Sequence, residues 1–404
     1  MAPSSRSVGL SDSARAVLAA ITPGRQVTRP ELGRELALSK PTVSAAIAEL
    51  EGAGLVSNTG SVQGSLGRAA SVYALGPGAG WTLGLDLGAS HFELQAQGLD
   101  GSELRSLSSA DRSAPALRRR AAAAVRQCTT DFAGHGPLRA VGIAVPRIVP
   151  TPTPATLADP WLPDAGLDDL VAEFRLRSDV PVLPENNVNC AALAELQSGA
   201  AVGQTNFVYL QVGLRIGMGL VLNGRLIRGD RGAAGEIARL PFPFAPGSTY
   251  RPDAFEHYVG SGSLLQRAHE TWTDGAPPPT VPALFELAAS GHRGAVAVVQ
   301  AHARDIANAA LAVVAVTDPA LIVLGGGVGQ NEQMAPAVER VLAEYGVEIP
   351  IRTSAFGDRA SVRGATSIAG DYAMTTLVGG RYPARVDFGT WAGDQLPPEV
   401  TPGR

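Results

Sequence analysis

Just two residues, Ala37 and Leu38, separate a pair of helices near the N-terminus, so the two fold against each other as a helix-turn-helix. The first starts at Thr28-Arg29-Pro30-Glu31, a capping box in which the Thr28 hydroxyl accepts from the backbone near Glu31 and the Glu31 carboxylate reaches back; it runs to about Leu36. The second takes Ser39 as N-cap, tolerates Pro41 in its first turn, carries Val43, Ala46, Ile47 and Leu50 on one face and stops at Gly52 or Gly54. Ahead of the pair, Ala14, Val17, Leu18 and Ile21 recur at helical spacing and predict one more helix, closed by Gly24. Downstream, Leu55-Val56 and Val72 to Leu75 read as two short strands. Between them a segment rich in Gly and Ser, Asn58 to Ala70, carries Arg68 as its one charge, the pattern of a wing.

The outer face of the Ser39 helix shows what the module does. It bears Pro41, Ala45 and Ala48, flanked by Lys40, Thr42 and Ser44. A merely solvated face carries several long charged side chains. Small residues, hydroxyls and one cation suit a helix in a DNA major groove, where methyls touch thymine and hydroxyls reach base edges or phosphates. Ser39, Lys40, Thr42 and Ser44 are the expected contacts, with Arg68 meeting phosphate or a minor groove. The plainer alternative is a three-helix interaction domain that never meets DNA. Charge is consistent with a DNA-binding end but weak as evidence: residues 1–75 hold seven Arg/Lys against five Asp/Glu, and the remainder 26 against 32.

Bulk properties bound the rest. A chain of 404 residues with 45% hydrophobic content suits two or three domains. Cys128 and Cys190 offer neither a disulfide framework nor metal-ligand spacing, which with the lack of a signal peptide or an uninterrupted apolar span suggests a soluble, cytoplasmic protein.

From Trp81 the texture changes to strands and helices with glycine turns, an α/β pattern. Asp86-Leu-Gly88-Ala-Ser90 follows a strand, in the manner of the turn that holds the metal-phosphate end of ATP in actin-like and hexokinase-like ATPases. Val141 to Pro146, Pro184-Glu185-Asn186-Asn187, Phe207 to Gly213, Gly217-Met-Gly219, Gly232-Ala-Ala-Gly235-Glu236-Ile237 and Leu321 to Gly327 then follow in order. In that order they resemble the ROK family of sugar kinases and repressors, over roughly residues 10 to 375. The resemblance implies a winged helix-turn-helix over 1–76, a two-lobed actin/hexokinase-like α/β domain over 77–383, and a Pro/Gly-rich tail, 384–404, expected to be disordered.

It also implies lost chemistry. Kinase members carry Glu-Asn-Asp, whose Asp is the general base; here Asn187 stands in that place, and an amide takes no proton at neutral pH. Their second phosphate turn, Gly-Thr-Gly-x-Gly, corresponds to Gly213-Leu214-Arg215-Ile216-Gly217, with Arg215 expected to fill the space of a phosphate. The zinc-binding His and cysteines have no counterparts between Glu236 and Glu256, so neither metal nor cofactor is expected. The family's sugar contacts map to Asn186, Asn187, Glu236, Arg239 and Glu256, groups able to hold hydroxyls without reacting; Arg239 also admits an anionic ligand. The expectation is therefore a non-catalytic regulator, a homodimer or homotetramer on duplex DNA, that senses a sugar-like effector. A regulator with a vestigial pocket and a surviving kinase are the alternatives.

Overall fold

The computed structural model describes residues 9–63, 69–88, 91–111, 113–149, 167–241, 251, 253–273, 275–380 and 386. Helix α1 (Asp12–Ala20) is capped by the Ser11 side chain, which accepts from the Ala14 N–H. It stops short of Gly24 because Thr22 to Arg25 already form a hydrogen-bonded turn. A short strand, β1 (Val27–Thr28), leads into α2 (Arg29–Glu35), where both halves of the capping box form, and α3 (Lys40–Gly52) follows from its Ser39 cap. Strands β2 (Val56–Gln63) and β3 (Ala69–Leu75) complete an antiparallel sheet of order β1-β3-β2. β2 is longer than its composition suggests: ladder bonds to β3 run from Val56↔Leu75 to Gln63↔Ala69, with a bulge between Asn58 and Gly60, and override the weak strand preference of Gly and Ser. All of the stretch from Asn58 to Gln63, expected as part of the wing between the two strands, is therefore strand. Arg68 lies outside the described residues.

The apolar stripe of each helix meets in one core: Val17, Leu18, Ile21, Leu32, Val43, Ile47 and Leu50, closed by Tyr73 and Leu75. Three residues from the far end of the chain, Ala373, Met374 and Val378, lie in that same core. The stretch after β3 is tied down as well. Gly76 and Gly78 N–H groups donate to the Leu55 and Gly54 carbonyls, and the Arg139 guanidinium donates to the Gly78 and Ala79 carbonyls at 2.9 and 2.8 Å.

The first five-stranded sheet consists of β4 (Trp81–Leu87), β5 (His91–Gly98), β6 (Glu103–Ala110), β7 (Leu138–Val145) and β8 (Val182–Asn186), in the order β6-β5-β4-β7-β8, with helices α4 (Ala114–Asp131) and α5 (Leu167–Phe174) in its crossovers. After α6 (Asn187–Ser198) a second sheet repeats the plan with β9 (Phe207–Val212), β10 (Ile216–Leu222), β11 (Arg225–Ile227), β12 (Ile322–Gly325) and β13 (Ile351–Thr353), ordered β11-β10-β9-β12-β13. In each sheet the first strand pairs antiparallel with the second and parallel with the fourth. Helices α7 (Ala254–Val259), α8 (Ser261–Thr271), α9 (Val281–Ala289) and α10 (Arg293–Thr317) precede β12; the short α11 (Gly326–Gly329), then α12 (Met334–Glu344), precede β13, and α13 (Ala360–Leu377) ends the described helices.

The chain divides into two compact units, one of residues 1–147, 151–185 and 365–404, the other of 148–150 and 186–364. The winged helix and first sheet share the first unit; the second sheet and α6 to α12 make the other. Among the described residues no helix is long and apolar enough to cross a membrane.

Candidate functional site

In the winged helix, hydrogen bonding engages most of the long charged side chains. Glu49, on α3, accepts from the Ser11 N–H and hydroxyl at 2.7 and 2.6 Å, which holds its carboxyl below the usual range and locks α3 to the start of α1. Arg25 and Glu35 form a two-pronged ion pair at 3.0 and 2.6 Å, and the Arg29 guanidinium lies over the Tyr73 ring at 5.0 Å. Lys40, Pro41, Ala45 and Ala48 remain exposed on α3, with Ser44 half-buried beside them. Ser39 takes the N-cap place expected of it, so neither it nor Thr42 presents an unengaged hydroxyl. Ser39 caps the helix by accepting from the Thr42 N–H, and the two hydroxyl oxygens are 2.7 Å apart. Arg34, exposed near the end of α2, is a cation the sequence reading passed over. Its place one turn before Ser39 was the available signal.

The residues mapped to a sugar pocket fall in the second unit, and β10 organises them. Gly217 and Gly219 on β10 lie against Val188 and Ala192 of α6, so close that a Cβ at either glycine would collide. That contact sets the start of α6, with Asn186 and Asn187, on β10. Gly235 has φ +88° and its α-carbon abuts the Met218 carbonyl of the same strand, while its own carbonyl accepts from the Met218 N–H at 3.2 Å. Glu236 therefore also stands beside residues 217–219.

Glu236 begins a single 3-10 turn, Ile237–Arg239, which packs against α7. Asp253 and Glu256 occupy the cap and first turn of α7, anchored by the fully buried Phe255 and Val259. Burial raises the Glu236 carboxyl pKa; Arg239 opposes the shift, and Asp253 and Glu256 add to it. Glu236 thus feels two further carboxylates as well as one arginine, and Asp253 was not anticipated. The Asn186 side-chain carbonyl accepts from the Val188 and Asn189 N–H groups at 2.8 and 3.3 Å, and the Asn187 carbonyl accepts from the Ser361 hydroxyl at 3.1 Å. The asparagine at 186 is thus held by the helix it caps.

The two phosphate turns look different from each other. Gly213 to Arg215 form the hairpin between β9 and β10, with Val212 paired to Ile216 and the Gly213 N–H donating to the Arg215 carbonyl at 3.1 Å. Arg215 is exposed instead of folded into the turn, because the hairpin's own hydrogen bond already closes it. A cavity of about 250 Å³ adjoins Gly213, lined also by Ser261, Phe285, Gly327 and Asn331, and by none of the five sugar-pocket residues. At the first turn, Asp86 is buried, and burial with the nearby Glu93 pushes its carboxyl up to about 7. The His91 ring lies on Gly88, with Nε2 4.0 Å from an Asp86 oxygen. Ser90 falls outside the described residues, as do 242–250 and 252 of the segment compared with a zinc site.

A winged helix ahead of two sheets of one strand order is the architecture of a sugar-kinase-type α/β chain with a winged helix-turn-helix in front. The chain belongs to the ROK family, whose model matches residues 82–371, while residues 8–63 match the model of the MarR family. A solved ROK family transcriptional regulator, a homologue of the E. coli MLC protein, shares the fold over 91% of this chain and 98% of its own, with a TM-score of 0.71 at 20% identity. The ROK hexokinase from Thermus thermophilus covers 71% of this chain and 97% of its own, at TM-score 0.58 and 26% identity. Among characterised sequences, the xylose repressor of Bacillus subtilis is 26% identical over 233 residues, 54% of this chain and 57% of its own length. The N-acetylmannosamine kinase of Pasteurella multocida is 31% identical over 179 residues, 43% and 59%. The chain thus spans less than two thirds of either relative.

Proposed function

We propose that this protein is a sequence-specific DNA-binding transcription regulator, most simply a repressor, whose ROK domain binds a sugar-like ligand without phosphorylating it. The observation that carries the reading is the outer face of α3, where Lys40, Pro41, Ala45 and Ala48 are exposed with no long acidic side chain among them. Arg34 and Lys40 meet backbone phosphates, Arg68 meets phosphate or a neighbouring minor groove, Ser44 and the α3 methyls meet bases, and Ser39 and Thr42 fix the start of the helix. The protein acts in the cytoplasm as a homodimer or homotetramer, so that two modules meet a two-fold operator.

The effector site is Asn186, Asn187, Glu236, Arg239 and Glu256, with Asp253 added. Carboxylates and amides hold hydroxyl groups through charge-assisted and neutral hydrogen bonds. Chemistry is absent because Asn187 offers no base for a sugar hydroxyl, a loss of ~10²–10⁴-fold in rate on its own. Binding of the ligand must favour one arrangement of the protein over another to alter DNA affinity, and a coupling of about 1–3 kcal/mol changes it roughly 5–150-fold.

The rival reading, a working kinase, is supported by the kinases among the relatives. One experiment separates the two. Full-length protein is incubated with ATP and hexoses, and in parallel with labelled genomic fragments and the same sugars. The regulator reading expects no sugar phosphate above background and retention of particular fragments, altered by at least one sugar. Sugar-dependent ATP turnover that Asp86→Ala abolishes, without fragment retention, would instead establish the kinase.

A further inference from the structure

The exposed surface of α3 points to what kind of base sequence it reads. Of the groups that ordinarily hydrogen-bond to base edges, the hydroxyls of Ser39 and Thr42 are turned on each other at 2.7 Å, with Ser39 also capping the helix, and Ser44 is half-buried. Glu49 is bound to Ser11, and Arg25 to Glu35. In the middle of the face stand two exposed methyl groups, Ala45 and Ala48, one turn apart, after the exposed ring of Pro41. Glu51, exposed one turn beyond Ala48, is repelled by phosphate and confines the groove contact to the part of α3 that precedes it. An apolar patch facing a major groove has one complementary feature on DNA, the 5-methyl group of thymine; guanine and adenine present polar N7, O6 and N6 atoms there, which would lose water to an alanine without gaining a bond.

We infer that this regulator selects its operator through thymine methyl groups packed against Ala45 and Ala48, with hydrogen bonding to bases a minor part of the readout. The inference rests on the DNA-binding reading above and adds the chemical class of the sequence element. Lys40, at the start of the helix, supplies affinity that is indifferent to sequence. The half-site is thus expected to contain thymines one or two steps apart on the strand facing α3, since one helical turn rises about 5.4 Å against about 3.4 Å per stacked base.

Deoxyuridine provides the test, because it differs from thymidine by that methyl group alone. Duplexes bound by the full-length protein are selected from a randomised pool, and each thymine in the strongest binder is replaced singly by deoxyuridine. At the contacted thymines affinity is expected to fall about four-fold, the value of one buried methyl-sized group, and elsewhere to stay unchanged. In Ala45→Gly and Ala48→Gly, each checked for folding by thermal melting, the sensitivity should vanish at the matching thymine. A binder indifferent to deoxyuridine at every position would overturn the inference and leave the DNA-binding reading intact. So would a sensitivity that both glycine variants retain in full. If no duplex is enriched, the DNA-binding reading itself falls, and the inference with it.

Discussion

The winged helix and the carboxylate cluster of the second unit treat charge in opposite ways. In the winged helix Glu31, Glu35 and Glu49 are each held by a capping backbone, an arginine or a serine within a rigid frame, and the exposed face of α3 is left nearly neutral. Around Glu236 the half-buried carboxylates of Asp253 and Glu256 add to the effect of burial, which raises the Glu236 pKa, and Arg239 opposes it. On the proposed reading, a surface that slides into a groove lined by phosphates gains from having its carboxylates occupied elsewhere. In a pocket proposed to take hydroxyl groups, half-buried carboxylates would supply acceptors. The comparison predicts that substitutions in the first region change folding or DNA binding alone, whereas those in the second change the ligand response alone.

The largest expected effect is on the core that supports the neutral face. Met374→Ala, some 325 residues from α3 in sequence, opens a cavity in the winged-helix core and should cost about 2–5 kcal/mol there. Hydrogen exchange should report it as lost protection in α1 to α3, with the second sheet unaffected. Protection lost equally throughout would mean that the two regions are not separable.

Next in size is a pH effect at Asp86. Its folded-state pKa, about 7, lies above the ordinary 3.8, so its contribution is most favourable in acid and is lost as pH rises from about 4 through 7. Relative to wild type, Asp86→Asn should therefore gain stability between pH 4 and pH 8, by up to about 4 kcal/mol. Urea melts at the two pH values check it; an Asn variant that loses ground at pH 8 contradicts it.

Glu236→Gln keeps shape and removes charge. It should leave DNA affinity without sugar unchanged and weaken the response to sugar by the value of one charged hydrogen bond, about 1.5–3 kcal/mol, as read from release of a labelled operator. Lys40→Ala should have the smallest effect, weakening binding to all duplexes alike and lowering the salt slope by roughly one. A sequence-dependent loss would place Lys40 on a base.

The elements that the sequence revealed best are those closed by local bonds. Thr28 with Glu31, and Ser39 with its cap, announce α2 and α3 because donor and acceptor lie three residues apart, and the structure reproduces both. The repeated strand order of the two sheets could not be read that way, since it depends on pairings between strands such as β4 with β7 and β9 with β12 that lie far apart in the chain. The same holds for Met374 in the winged-helix core: an apolar residue near the end of a helix shows which face is buried, but not which partner buries it. At the pocket, family motifs singled out Asn186, Glu236, Arg239 and Glu256. Asp253 was invisible because its position depends on a left-handed backbone, φ +60°, at the start of α7. The Ser39–Thr42 pairing, likewise, is a rotamer outcome that side-chain type alone does not announce.

The account's central claim is that the exposed face of α3 reads DNA, and Ala45→Glu tests it most directly. Position 45 is exposed, so the variant should fold and melt like the wild type, while its carboxylate would face the groove. Selection from a randomised duplex pool is expected to enrich a defined sequence with wild-type protein and nothing above background with Ala45→Glu. Enrichment of the same sequence by both proteins, at comparable affinity, would contradict the claim.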